Sequence, residues 1–180
     1  MEKTEKHILN AYRINRSERD GDTLKIEGYA CHFGTVNGNG EVVNKESFDF
    51  FLGELKKDGL MPIFNFNHNP DRIIGGWDSI EADDKGLYVK GHLNTGVAFV
   101  RDELLPLIEA GDLSHLSTEG WANGHWSDEL NAFVCDEFLL CGIALVALPA
   151  DFKAKADIHN HMNAKVAQQP QHHKFKKLFN

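Results

Sequence analysis

Residues 72–94, RIIGGWDSIEADDKGLYVKGHLN, constrain the fold more than any other stretch. Two runs alternate apolar and polar residues with period two, joined by the turn-rich residues 82–86. Alternate side chains of a strand face opposite sides, and Asp and Gly suit tight turns, so the pattern predicts a β-hairpin. Residues 23–34 repeat the alternation, with Leu24, Ile26, Gly28 and Ala30 on one face. Two Asn-Gly steps in residues 35–43 predict a turn between β-favouring residues, and so a second hairpin.

Two segments read as helices. Residues 44–59 place Phe48, Phe51, Leu52 and Leu55 on one face, with Asn44 at the N-cap position and Gly59 near the end. Residues 96–112 are similar, with Pro106 expected to kink or cost a turn. Residues 61–70 predict a short strand ended by Pro70, and residues 111–121 another strand. Residues 122–132 read as a loop, and 133–151 as a long apolar strand. The first 23 residues read only as polar, with RSERDGD as a turn. Few helices and many hairpins exclude a βαβ parallel sheet. The expected class is α+β: a mostly antiparallel sheet or small β-barrel with helices packed outside.

A chain of 180 residues supports one domain with a real core. A net charge of −8 disfavours a nucleic-acid binder working through a basic surface. The charge is uneven. Residues 158–180 contain Lys165, Lys174, Lys176 and Lys177 and no acid, which leaves −12 on residues 1–157. Strand periodicity fades from about Lys153, so residues 1–155 are read as the domain and 156–180 as a flexible basic tail. Such a tail either docks on an acidic surface or is simply solvated. Three cysteines, Cys31, Cys135 and Cys141, suit neither a disulfide framework nor a structural zinc site. No secretory h-region opens the chain, and the apolar run around residues 138–150 is broken by Gly142 and too short for a bilayer. The expected setting is cytosolic, with no membrane association.

Ten histidines invite a metal reading. His159 and His161, and the adjacent His172 and His173, lie in the expected tail with no acid or Cys cluster beside them, so no metal or other cofactor is assigned. His68 ends an apolar strand just before a Pro, a stiff position that suits a catalytic base; it is equally the place of an ordinary loop histidine. On a period-two strand Leu113, His115, Ser117 and Glu119 share one face, and Ser114, Leu116 and Thr118 the other. Ser117 is therefore either a strand hydroxyl or a nucleophile, and a nucleophilic serine needs a base and a group that orients the base.

Five segments in order resemble the prohead (capsid maturation) serine proteases of tailed phages, a family related in fold to the herpesvirus assemblins. They are EGYACHFGTVNGNGEVV, FNFNHNPDRIIGGW, DDKGLYVKGHL, LIEAGDLSHLSTEGW and IALVALPAD, and the resemblance they carry spans roughly residues 26–151, most of the chain. The resemblance implies an assemblin-like fold, His68 as the catalytic histidine, Ser117 as the nucleophile, and a structural part for Ser114. The family's third member falls near Gly142, which has no side chain to offer. A hairpin turning near Ser127 would put Asp136 or Glu137 opposite Ser117, and Asp136 is the chosen orienting acid. Glu119 on the face of Ser117 is the other candidate, a dyad without a carboxylate remains open, and His115 and His125 are weaker options.

The resemblance further implies a serine endopeptidase that clips itself and works inside the assembling procapsid in the host cytoplasm. Its partners would be the major capsid protein with its scaffolding segment and other internal procapsid proteins. Assemblins are activated as homodimers, although no residues here mark a dimer surface. The rival reading is a non-catalytic capsid- or scaffold-binding domain of the same fold, favoured by Gly142. A metal hydrolase using the histidine-rich tail is a third.

Overall fold

The computed structural model describes residues 5–147, with residues 5–20 described by their backbone. The elements run β1 (Glu5–Asp20), β2 (Thr23–His32), β3 (Glu41–Val43), α1 (Asp49–Asp58), β4 (Ile63–Phe66), β5 (Asn69–Ala82), β6 (Gly86–Asn94), α2 (Leu105–Ala110), β7 (His115–Ser127) and β8 (Ala132–Val146). A 3-10 turn, Glu46–Phe48, leads into α1, and a π turn, Val100–Leu104, leads into α2. The class is α+β. One eight-stranded sheet runs β3-β8-β4-β5-β6-β2-β1-β7 and curls so that β7 also pairs with β8. Only β3 and β4 pair in parallel, both with β8. No helix among the described residues is long and apolar enough to cross a membrane.

The alternation of the sequence reappears as burial. Leu24, Ile26 and Ala30 of β2 face Val89 and Leu93 of β6 and Trp77 and Ile80 of β5 in the core. Phe48 and Phe51, at the start of α1, join them from outside the sheet order. Gly59 and Gly111 close the two helices in the left-handed conformation, φ 69° and 81°, which glycine adopts without a Cβ penalty. Pro106 lies inside a continuous helical run, because the π turn passes directly into α2; its missing N–H leaves one intrahelical bond unmade, and the Leu105 N–H before it reaches back five residues to the Val100 carbonyl.

Four local expectations change. Residues 5–20, read only as polar, form the long strand β1, which bridges β2 and β7 by its backbone. Residues 35–43 do turn, with Asn37 Oδ1 accepting from the N–H groups of Asn39 and Glu41, but make no hairpin. β3 instead runs parallel to β8, because β1 and β6 occupy both edges of β2. Residues 122–132 are largely the arms of the β7–β8 hairpin, paired down to Ser127 and Ala132. Pro70 does not end a strand; it sits at the start of β5, the strand position where a missing N–H is tolerated.

Candidate active site

The β7–β8 ladder sorts its residues by face. Directly opposed residues point the same way, so Leu116 with Leu145 and Thr118 with Ile143 make one set, and Ser117 with Ala144 and Glu119 with Gly142 the other. Leu116, Ile143 and Leu145 belong to the main core, whereas Ala144 and Val146 form a small separate cluster. Ser117 and Glu119 therefore lie on the face turned away from the main core, and are nevertheless buried. β4 continues the rows: Asn65 is level with Ala144 and Ile63 with Gly142.

β4 delivers His68. Phe66 pairs with Asn69, so Asn67 and His68 are the two turn residues of the β4–β5 hairpin. Both have positive φ, 52° and 58°, as a type I′ turn requires. Asn and His are among the residues that tolerate this region, at a cost of roughly 1–2 kcal/mol each. The turn is pinned by the Asn67 N–H, which donates to the Leu145 carbonyl at 3.0 Å. Leu145 is next to Ala144, the partner of Ser117, so the pin sets the imidazole over the serine.

His68 Nε2 lies 3.0 Å from Ser117 Oγ. His68 Nδ1 lies 3.6 Å from Glu119 Oε2, with the carboxylate side chain only 3% exposed. Asn65, fully buried, donates from Nδ2 to Glu119 Oε1 at 2.7 Å. A serine hydroxyl hydrogen-bonded to an imidazole whose other nitrogen faces a buried carboxylate is the constellation of a serine hydrolase. With Nδ1 protonated toward Glu119, Nε2 is left as the acceptor for the Ser117 proton. The 3.6 Å separation is an ion-pair contact rather than a hydrogen bond; catalytic contacts often tighten only with substrate bound.

Asp136 is not part of this group. The hairpin does turn beside Ser127, but its centre lies beyond that residue, at residues 128–131, and β-bulges between Glu119/Gly120 and Asn123/Gly124 shift the register further. Ala144 rather than Asp136 therefore opposes Ser117. Asp136 lies eight positions before Ala144 on β8, roughly 26 Å at ~3.3 Å per residue. Asp136 instead meets His125 Nδ1 at 2.9 Å on the exposed part of the hairpin, and Glu137 accepts from Asn123. Gly142 is explained by the same register. A Cβ there would lie 2.5 Å from Glu119 Oε1 and 3.0 Å from its Cγ, so the missing side chain is the space that the glutamate fills. Ser114 donates to the Gly111 carbonyl at 3.5 Å, at the exit from α2. Asn65 was not singled out from sequence; the alternation of Phe64, Asn65 and Phe66 was the available signal, a polar residue on the face opposite two aromatic ones. Among the described residues no three His, Cys, Asp or Glu gather to hold a metal, and His159, His161, His172 and His173 lie outside them.

The family model of the caudovirus prohead serine proteases matches residues 10–169. The chain belongs to that family. It is 35% identical over 78 residues to the prohead protease of Enterobacteria phage HK97, an alignment covering 43% of this chain and 33% of the relative. The chain thus spans about a third of the length of that curated relative. Its fold is similar to the solved structure of the bacteriophage T4 capsid assembly protease, gp21, with a TM-score of 0.69 at 16% identity, covering 81% of this chain and 99% of the other.

Proposed function

We propose that the chain is a serine endopeptidase of capsid maturation, with Ser117 as nucleophile, His68 as general base and acid, and Glu119 as the carboxylate that orients His68. One observation carries the reading: the 3.0 Å contact between His68 Nε2 and Ser117 Oγ, made by a turn held in a conformation its residues do not favour. In acylation His68 takes the hydroxyl proton as Ser117 Oγ attacks the peptide carbonyl. His68 then protonates the leaving amine, and water repeats the cycle to release the acyl group. Glu119 stabilises the imidazolium formed in both steps. Gly142, the feature that favoured a non-catalytic domain, no longer does so, because Glu119 occupies its space.

Family membership supports substrates among procapsid proteins: the major capsid protein with its scaffolding segment, other internal proteins, and the protease itself. The site of action is then the procapsid interior. Kinship with the assemblins, and a homodimeric working form with it, belong to the same reading, as does a protease domain of residues 1–155 followed by a basic tail. The test is co-expression with the cognate major capsid protein. Wild type is expected to trim it, and Ser117→Ala and His68→Ala to leave it intact. Trimming by Ser117→Ala at the wild-type level would refute the assignment.

A further inference from the structure

Asn65 stands on β4, level with Ala144 of β8 and Ser117 of β7, and is fully buried. Glu119 stands one row away on β7, level with Gly142. To reach Asn65 its side chain must cross β8, and it crosses where β8 has no side chain. The crossing ends in a short hydrogen bond, Asn65 Nδ2 to Glu119 Oε1 at 2.7 Å, and leaves Oε2 on the side of His68 Nδ1. The amide orientation follows from chemistry: an ionised carboxylate only accepts, so the NH2 group must face it.

Two features single out this contact. The terminal torsion of a glutamate is broad, so packing alone does not fix the plane of its carboxylate; a donor on one oxygen does. Asn65 Oδ1 is buried and finds no donor among the described residues. A strand between Phe64 and Phe66 would hold an apolar residue at lower cost, so the useful half of the amide is its NH2.

We propose that Asn65 is a positioning residue, holding the Glu119 carboxylate across Gly142 so that its second oxygen faces His68. This rests on the reading of Ser117, His68 and Glu119 given above. Asn65 touches no reacting atom; it acts through Glu119.

The test uses a peptide spanning the capsid-protein junction mapped in the co-expression experiment. Kinetics are measured for wild type, Asn65→Leu, Asn65→Ala, Glu119→Gln and the doubles, with Ser117→Ala as control. Asn65→Leu is expected to lower kcat about 10–100-fold with KM changed less than about 2-fold, as for other groups that orient a catalytic ligand. In the Glu119→Gln background the same change is expected to alter kcat by less than about 2-fold, since the group it positions has gone. Equal losses in both backgrounds, or a loss confined to KM, would overturn the proposal. Thermal unfolding identifies a variant that does not fold; Asn65→Ala, which adds no bulk, then decides the question. If Ser117→Ala retains activity, the catalytic reading itself fails. If Ser117→Ala is inactive and Asn65→Leu is normal, only the role of Asn65 fails.

Discussion

Replacing Gly142 by alanine perturbs the site by a single methyl group. Its Cβ would meet Glu119 Oε1 at 2.5 Å, Glu119 Cγ at 3.0 Å and Ile63 Cγ1 at 3.1 Å, against 3.4 Å for the near edge of ordinary contact. The carboxylate oxygen must therefore retreat by at least 0.5 Å to reach 3.0 Å, and by 0.9 Å to reach ordinary contact. It cannot do so and keep both the 2.7 Å bond to Asn65 and the 3.6 Å contact to His68. A misplacement of about 1 Å in a catalytic group lowers rate by about 100-fold, so Gly142→Ala should lower kcat about 10–100-fold. Stability should change much less. Crowding costs ~1–3 kcal/mol, partly offset by the ~0.4–1 kcal/mol that a glycine-to-alanine change contributes through the unfolded chain. Peptide kinetics beside urea unfolding separate the two effects. The double variant Gly142→Ala/Glu119→Ala removes the clash and should regain stability without activity. Wild-type kcat in Gly142→Ala would refute the claim that Glu119 uses the space over Gly142.

Other outcomes follow from the same geometry. Glu119→Gln should lower kcat/KM by about 10²–10⁴, whereas Asp136→Asn, which only loses His125, should stay within about 2-fold; steady-state kinetics of the two decide between the carboxylates. In the folded protein Ellman's reagent should titrate Cys141 quickly. Burial pushes the Cys31 and Cys135 thiols up to about 12, so both should react only on unfolding; three fast thiols would contradict the core. The Tyr29 phenol donates to Asp83 and is pushed up to about 12, first by that hydrogen bond. A raised folded-state value means the contact stabilises below the unfolded tyrosine value of about 10 and is lost as pH rises toward 12. Tyr29→Phe should flatten the stability profile between those limits in urea unfolding, and an unchanged slope would argue against the contact.

What the sequence made legible follows from periodicity. Strands with one buried face, such as Leu24–Ile26–Ala30 or Ile80 and Val89, announce themselves by alternation. β1 does not, because its apolar residues, Ile8, Leu9, Ala11, Tyr12 and Ile14, do not keep period two, and its place is set by backbone pairing to two strands far apart in sequence. Ser117 and Glu119 could be put on one face of a strand, since period two is local. Which residue stands across from them could not: it depends on where the hairpin turns and on two bulges, and each offset of one residue reverses a face. Counting across the hairpin without those offsets selects Asp136 over Glu119. The meeting of His68 with Ser117 depends on a turn with two positive φ angles and a parallel β4–β8 pairing, neither of which has a local sequence signature here. Gly142 looked like a missing group, and only the register reveals it as space for the glutamate opposite.

The most direct test of the central claim needs no natural substrate. The protein is treated with a fluorophosphonate, its mass measured intact, and the modified peptide sequenced. A hydroxyl activated by His68 predicts one adduct, on Ser117, absent from Ser117→Ala and strongly slowed in His68→Ala. No adduct, an adduct on another serine, or labelling of Ser117 at an unchanged rate in His68→Ala would contradict it.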